Sequence, residues 1–381
     1  MKIAINTTSA VAGGGVTYIK NLLTYLAKLN TTHQYLILTT LSGREAFYFQ
    51  HPRFTFLSFK LPSMGLISRL CWEQTFLPRF LKRRNIDVLF SPANICPLFT
   101  NISKIVMIQN IEPFSNTTVL KTQGLLQGIR LRLLKLLTIL SIKKSQMAIF
   151  PSTKALTDTE KSGVLIKHAE VVYHGINKEI FHPNRGDDQL SQFKEKYGLG
   201  TFILYVSNIQ RYKNFLELIK AFVLLRDRID NTIQLVFAGT CFDRQYYNEM
   251  KVFLTEQGYD NRVIFLGNVP YEELPYLYAA CTLFVYPSTC ESFGMTLVEA
   301  MACGAPILAS QLEPMPEICA AAAIYFDPTN PVAMANVISK TLKDTELIST
   351  LSRKALERAK VFSWENTARN TLKVFENVTQ N

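Results

Sequence analysis

Short apolar runs recur along this chain at the spacing of alternating strands and helices. Lys2 to Asn6, Tyr35 to Thr40, Phe54 to Phe59, Ile86 to Ser91, Ile105 to Gln109 and Met147 to Pro151 each read as a strand. Between them, apolar residues fall at helical spacing. Val16 to Leu29 carries Ile19, Leu22, Leu23 and Leu26 on one face; Leu66 to Arg84 reads as helix up to a kink at Pro78; Leu125 to Lys144 is a longer helix rich in Leu and Ile. A second series follows. Phe202 to Val206, Ile233 to Gly239, Val263 to Gly267, Leu283 to Pro287 and Ile307 to Ser310 read as strands. Helices are expected from Phe215, over Tyr271 to Cys281, from Gly294, over Pro331 to Lys343 and Asp344 to Val361, and from Ser363 to the end. Polar residues with Pro and Gly punctuation, His182 to Gly200, separate the two series and read as the connection between domains. The pattern predicts an α/β chain with two parallel sheets, each covered by helices on both faces.

The tips of these strands carry the candidate chemistry, because ligands of open α/β sheets bind outside the carboxyl ends of strands. The densest stretch is Tyr286 to Ser310, YPSTCESFGMTLVEAMACGAPILAS. A strand runs into a polar loop with Glu291. Gly294 opens an apolar helix that bears Glu299, and Gly304 and Pro306 end it. A loop feeding a helix N-terminus offers backbone N–H groups to an anion. A carboxylate there suits sugar hydroxyls, since it accepts two hydrogen bonds at once. Lys213 lies in the loop after the strand Phe202 to Val206, and a cation at a strand tip beside a helix N-terminus suits a diphosphate. Gly13-Gly14-Gly15 precedes the first helix and reads either as a phosphate cradle or as a flexible loop. Gln109 and Asn110 end another strand, as ligand contacts or as loop caps.

Glu291, an internal Ser-Phe-Gly, Glu299 and the following Ala-Met-Ala-Cys-Gly-Ala-Pro together resemble the retaining glycosyltransferases of family 4. The resemblance implies the GT-B fold: two Rossmann-like, doubly wound parallel-sheet domains facing a central cleft. The acceptor-side domain would be residues 1–180 with a C-terminal crossing helix, 364–381, and Trp364 near the crossing. The nucleotide-sugar-binding domain would be residues 181–363. The substrate would be a nucleotide-sugar, with no cofactor. Glu299 would accept from the ribose and Glu291 would hold the donor sugar. Asn208, Arg211 and Lys213 would lie at the diphosphate, joined by the backbone N–H groups of Phe293, Gly294, Met295, Thr296 and Leu297 and of Gly14 and Gly15. Asn268 and Val269 would lie near the base, and Gln109 and Asn110 on the acceptor side. Glu291 and Lys213 would be the catalytic pair. Two departures stand out. The family's Arg just after the strand is Asn208 here, and Arg211 is the nearby cation that would replace it unless it is only an exposed loop residue. Many members carry His where this chain has Gln109, and an amide cannot act as a general base. Val171 to Asn177, VVYHGIN, resembles the strand and turn that close the family's first domain, with His174 structural.

Charge adds one element. Residues 1–180 hold 22 Lys and Arg against 8 Asp and Glu, or +14, while the remainder comes to −3. The excess collects at Arg79, Lys82, Arg83 and Arg84, and at Arg130, Arg132 and Lys135, among apolar residues. One reading is an anionic membrane surface under two amphipathic helices. The other is two core-facing helices with a solvated basic face. Neither stretch is apolar enough to span a membrane, and no nucleic-acid-binding module appears. The seven Cys form no Cys-x-x-Cys pair and no metal spacing with the five His. No Asp-x-Asp occurs, so no metal is expected at a diphosphate. The first residues, MKIAINTTSA, read as a strand and not as an export signal, and the Asn-x-Ser/Thr sites at Asn6, Asn30, Asn101, Asn116 and Asn377 as chance. The expectation is a cytoplasmic enzyme, peripheral on the inner face of the cell membrane, that passes sugar to a glycan or lipid-linked acceptor. The alternatives are a non-catalytic membrane-associated subunit and a nucleotide-sugar epimerase of the same fold.

Overall fold

The computed structural model describes residues 1–10, 13–60, 65–115 and 125–380; the Asn116 site lies outside them. The chain divides into two compact units. The first takes the described residues up to Gly175 and again from Ser363, and the second runs from Ile176 to Phe362. The division thus falls at 175/176 and 362/363, against the 180/181 and 363/364 expected.

The first unit is built on seven parallel strands: β1 (Lys2–Asn6), β2 (Gln34–Thr40), β3 (Phe54–Phe59), β4 (Val88–Ser91), β5 (Ser103–Met107), β6 (Met147–Phe150) and β7 (Ala169–Val171). Their order is β3-β2-β1-β4-β5-β6-β7, so the winding reverses between β1 and β4. The helix Gly65–Arg83 runs through Pro78 rather than ending there. Its Leu77 and Leu81 are fully buried with Leu36, Leu38 and Leu89, and Trp72 and Phe80 pack on the same cluster. Burial of this stripe outweighs the one backbone bond that proline removes. β7 is shorter than expected. VVYHGIN leaves the sheet at Val171, and His174 packs its ring on Tyr18 and Trp364, at 4.8 and 6.2 Å between centroids. Burial pushes its imidazole down to about 3.

The C-terminal helix, Trp364–Gln380, completes this unit. Trp364 is buried, Phe375 packs on Phe90 of β4, and Thr367 Oγ1 donates to the Tyr173 carbonyl at 2.7 Å. The chain can pass this close because residue 175 is glycine; a Cβ there would run into the backbone of Ser363 and Trp364.

The second unit holds six parallel strands: β8 (Phe202–Val206), β9 (Gln234–Ala238), β10 (Val263–Gly267), β11 (Leu283–Tyr286), β12 (Ile307–Ser310) and β13 (Ala323–Phe326). Their order is β10-β9-β8-β11-β12-β13, reversing between β8 and β11. The expected connection 182–200 is half helix. Asp187–Tyr197 has two acids in its first turn, two lysines in its last, a buried Phe193 and Gly198 in the left-handed region as its cap. These signals stabilise a helix that the flanking Pro and Gly only bound. A further helix, Arg244–Gln257, was not anticipated; its apolar stripe is a narrow one of Tyr246, Met250 and Leu254. Asp243 caps its start, accepting from Tyr246 N, and Gly258 ends it.

Gly175→Ala is expected to lower stability by at least about 2 kcal/mol, the cost of forcing atoms into a packed contact. A fall in the urea midpoint relative to wild type checks this.

Candidate active site

In the second unit the winding reverses between β8 and β11, and the loops that leave those two strands meet. The β8 loop passes through Arg211–Lys213 into Asn214, which takes the left-handed conformation (φ 65°) and starts the helix Phe215–Val223. Asn tolerates this region better than most residues, and here its side chain also donates to the Pro328 carbonyl. The β11 loop passes through Ser288–Ser292 to Gly294 (φ 94°), which starts the helix Met295–Ala302. One carbonyl joins the loops. Tyr212 O accepts from Thr289 N and Thr289 Oγ1, both at 2.9 Å, and from Ser288 Oγ at 3.4 Å. Tyr205 OH, from β8, donates to the Lys213 carbonyl at 3.0 Å.

This frame brings Lys213 and Glu291 together. Lys213 Nζ donates to Glu291 Oε1 at 2.6 Å, and the two side chains are only 13% and 10% exposed. Tyr286 OH donates to the same oxygen at 2.6 Å. The two residues chosen from sequence as the catalytic pair are therefore in direct contact. The loop ahead of Met295–Ala302 offers less than expected. Leu297 N–H is taken by the Gly294 carbonyl at 3.0 Å, leaving those of Met295 and Thr296 without a described backbone partner. Phe293 is buried against Phe362. Asn208 and Asn268 stand exposed at the tips of β8 and β10, and Val269 is buried beside Asn268.

Arg211 does not take the place of the missing arginine. Its guanidinium forks onto Glu249, with Nη1 and Nη2 at 2.8 and 2.6 Å from the two carboxylate oxygens. Its Nε lies 3.5 Å from Asp243, and the group covers the Tyr246 ring. A bidentate carboxylate and an aromatic face satisfy it on the helix side. Lys213 is thus the cation of the expected set that the structure leaves at this junction.

Glu299 also differs from expectation. It is 4% exposed on Met295–Ala302, and its Oε2 accepts from Tyr278 OH at 3.0 Å. Burial pushes its carboxyl up to about 8, with the Tyr278 bond opposing. The shift favours the neutral acid, which donates one hydrogen bond as well as accepting, over the ionised acceptor expected.

Beside this junction, at the carboxyl ends of β8, β9 and β10, lies a cavity of about 250 Å³. Phe215, Phe237, Phe265 and Tyr247 line it, with Ser207 and Arg244 as polar members. An aromatic-walled space with few polar groups suits a flat heterocycle.

The first unit carries its own polar strand ends. Gly14 and Gly15 begin the first helix, which has no side-chain cap, and a side chain on Gly14 would meet open space. Asn94 holds the turn after β5. Its Oδ1 accepts from Gln109 N and Asn110 N at 3.1 and 2.8 Å, and its Nδ2 donates to the Asn110 carbonyl at 2.6 Å. That turn leaves the Asn110 side chain exposed. Glu73 is buried at the end of β1, accepting from Asn6 Nδ2 and Thr8 Oγ1 at 3.0 and 3.3 Å. Sequence reading missed Asn94, Glu73, Tyr278 and Tyr286. Only the place of Asn94 and Tyr286 at strand ends signalled them. Among the described residues no group of three His, Cys, Asp or Glu is placed to hold a metal ion.

The arrangement defines a class by fold. The coordinates superpose on Anabaena Alr3699/HepE in complex with UDP-glucose at a TM-score of 0.80, with 18% identity, over 99% of this chain and 100% of that one. They superpose on WaaG, a glycosyltransferase involved in lipopolysaccharide biosynthesis, at 0.77 with 15% identity, over 98% and 99%. The fold is that of the GT-B glycosyltransferases, as the resemblance implied. Residues 186–358, within the second unit, match the family of glycosyl transferases group 1, which bears out the glycosyltransferase part of that resemblance for the stretch bearing Lys213, Glu291 and Glu299. The Escherichia coli O-antigen chain mannosyltransferase B is 34% identical over 185 residues, 48% of this chain and 48% of that protein. The chain thus spans about half the length of this curated relative.

Burial of Glu299 sets a pH dependence. Its folded pKa near 8 exceeds the unfolded value of 4.5, so the folded state holds the extra proton between them. Its contribution to stability is full below about 4.5 and is lost as pH rises through about 8. Glu299→Gln keeps the Tyr278 contact without the charge. The wild type is expected to lose more melting temperature than Glu299→Gln between pH 6 and 9, read by calorimetry.

Proposed function

We propose that the chain is a retaining glycosyltransferase that moves a hexosyl group from a nucleotide-sugar to a glycan or lipid-linked acceptor in surface-polysaccharide synthesis. The observation that carries this reading is the Lys213–Glu291 pair at the reversal of the second sheet, beside an aromatic-walled cavity. The base enters that cavity near Asn268 and Val269. Glu299 meets the ribose as a neutral acid. Glu291 takes hydroxyls of the donor sugar, and Lys213, with the N–H groups of Met295 and Thr296, meets the diphosphate. Charge grows on that diphosphate as the glycosidic bond breaks, and a fixed cation aimed there is the largest catalytic term available. The departing phosphate oxygen takes the acceptor's proton, and the acceptor bonds to the face the phosphate leaves. This balances without a general base, which agrees with Gln109 in the acceptor-side turn. No resident metal enters. The names of O-antigen mannosyltransferase B and WaaG support a surface glycan as product.

The acceptor side is read from the first unit. On the helix Leu125–Lys144, Ile129, Leu133 and Leu136 are exposed at helical spacing, flanked by exposed Arg130 and Arg132 and half-buried Lys135. Arg79, Lys82, Arg83 and Arg84 are exposed on and just after Gly65–Arg83. Exposed apolar residues set among cations fit an anionic lipid surface and support a reading in which the enzyme works peripherally on the inner face of the cell membrane. No helix among the described residues is long and apolar enough to cross a membrane.

Two measurements test this. Melting temperature is read with UDP, GDP and ADP and with their glucose and mannose conjugates; one nucleotide and its conjugate are expected to raise it. With that donor and an acceptor, Lys213→Ala is expected to lower turnover about 10²- to 10³-fold. A protein that answers to no nucleotide and turns over no conjugate refutes the transferase reading. In vesicle sedimentation, anionic vesicles are expected to carry down more protein than neutral ones, and Arg130→Glu with Arg132→Glu to remove the difference. Equal sedimentation with both would sink the lipid-surface reading.

A further inference from the structure

Tyr286 ends β11, three residues before the loop that carries Glu291 reaches Thr289. Its ring is buried, packed edge-on against Tyr205 of β8 (5.5 Å, 90°) and stacked on Phe284 (6.0 Å, 27°). These contacts fix the ring against the neighbouring strand β8 and against its own strand. The hydroxyl has one carboxylate to meet, and it donates to Glu291 Oε1 at 2.6 Å. Lys213 Nζ donates to that oxygen from the neighbouring loop, also at 2.6 Å. Both bonds fall on Oε1, and no described residue hydrogen-bonds Oε2.

A carboxylate held by one flexible lysine can turn about its last side-chain bonds. One held at a single oxygen by two donors, one on a rigid ring, cannot turn without breaking a short bond to each. We infer that Tyr286 is a positioning residue: its phenol locks Glu291 by Oε1 and presents Oε2 to the hydroxyls of the donor's sugar. This rests on the proposed donor reading and assigns the sugar half of the donor to one oxygen. It also gives Tyr205 a part. The same ring that braces Tyr286 donates through its hydroxyl to the Lys213 carbonyl at 3.0 Å, so two packed tyrosines hold the two ends of the ion pair.

The phenol is one oxygen, so Tyr286→Phe keeps the ring and its packing. The experiment compares binding of a free nucleoside diphosphate with that of its sugar conjugate, by calorimetric titration with UDP, UDP-glucose, GDP and GDP-mannose. In Tyr286→Phe the free diphosphate is expected to bind within about twofold of wild type, because it does not reach Oε2. The conjugate is expected to bind about tenfold more weakly, the size of one lost charge-assisted hydrogen bond. In a Glu291→Ala background the phenol has nothing to hold, so adding Tyr286→Phe is expected to change conjugate binding less than twofold. Conjugate binding unchanged by Tyr286→Phe overturns the inference. So does an equal loss for diphosphate and conjugate, or a loss that persists in the Glu291→Ala background; each leaves the donor reading standing. A wild type that binds neither diphosphate nor conjugate overturns both.

Discussion

The second unit depends on a constraint at one backbone carbonyl. Tyr212 O takes three donors from the β11 loop, and through it two loops from strands on either side of the sheet's reversal become one rigid piece. The Lys213–Glu291 pair sits on that piece and does not hold it together. With both side chains nearly out of water, the cost of stripping two charges of solvent rivals their attraction, and such pairs are poor sources of net stability. The hydrogen bonds around the pair hold its geometry: Tyr205 to the Lys213 carbonyl, Tyr286 to Glu291, and Asn214 to Pro328. The cost of placing the charges is met during folding, before any ligand arrives, which is what preorganisation means physically.

The first unit solves a different problem. Its strand ends are also fixed by side chains that bond to the chain, with Asn94 clamping the turn at Gln109 and Glu73 holding Asn6 and Thr8. Yet its sheet is closed by the last stretch of sequence. His33 reaches Glu376 at 3.1 Å, Ser103 reaches the Val378 carbonyl at 3.5 Å, and Tyr18 packs on Trp364. The core of this unit is therefore completed only by residues beyond Ser363, and Gly175 is the point where lack of a side chain lets the two ends approach.

What the sequence made legible follows from where the information is local. Buried strands of a parallel sheet are short apolar runs, and nearly all of them could be read as such. The stretch 286–310 was legible because strand, loop, acid, glycine and helix occur together in one contiguous segment. The direction of Arg211, left open by the sequence, was hidden for a structural reason. Its partners lie on Arg244–Gln257 and in the cap before it, a helix whose apolar stripe of three residues gives little periodic signal. Without that helix, Glu249 is 38 residues away and unrelated; with it, the guanidinium has a fork to fill. The cap Asp243 and the end Gly258 were present as signals and would have found it. Phe193 and Gly198 would likewise have found the helix inside the connecting segment.

Spacing was least informative about the two acids. Glu291 and Glu299 are eight residues apart in one motif, and both read as ionised hydroxyl acceptors. Their partners separate them. Glu291 lies in the loop, where a lysine and a phenol meet it at a single oxygen. Glu299 lies within the helix Met295–Ala302, where Tyr278 is its bonding partner and burial favours the proton. A neutral acid in such a place can meet a hydroxyl by donating and accepting at once, with no charge to desolvate as ligand closes over it. An ionised acid at the same depth would need a cation that no described residue supplies. On the proposed reading, the two halves of the donor are met by two carboxyl groups that are held in different ways. That division is set by the partners each residue meets and not by its place in the motif.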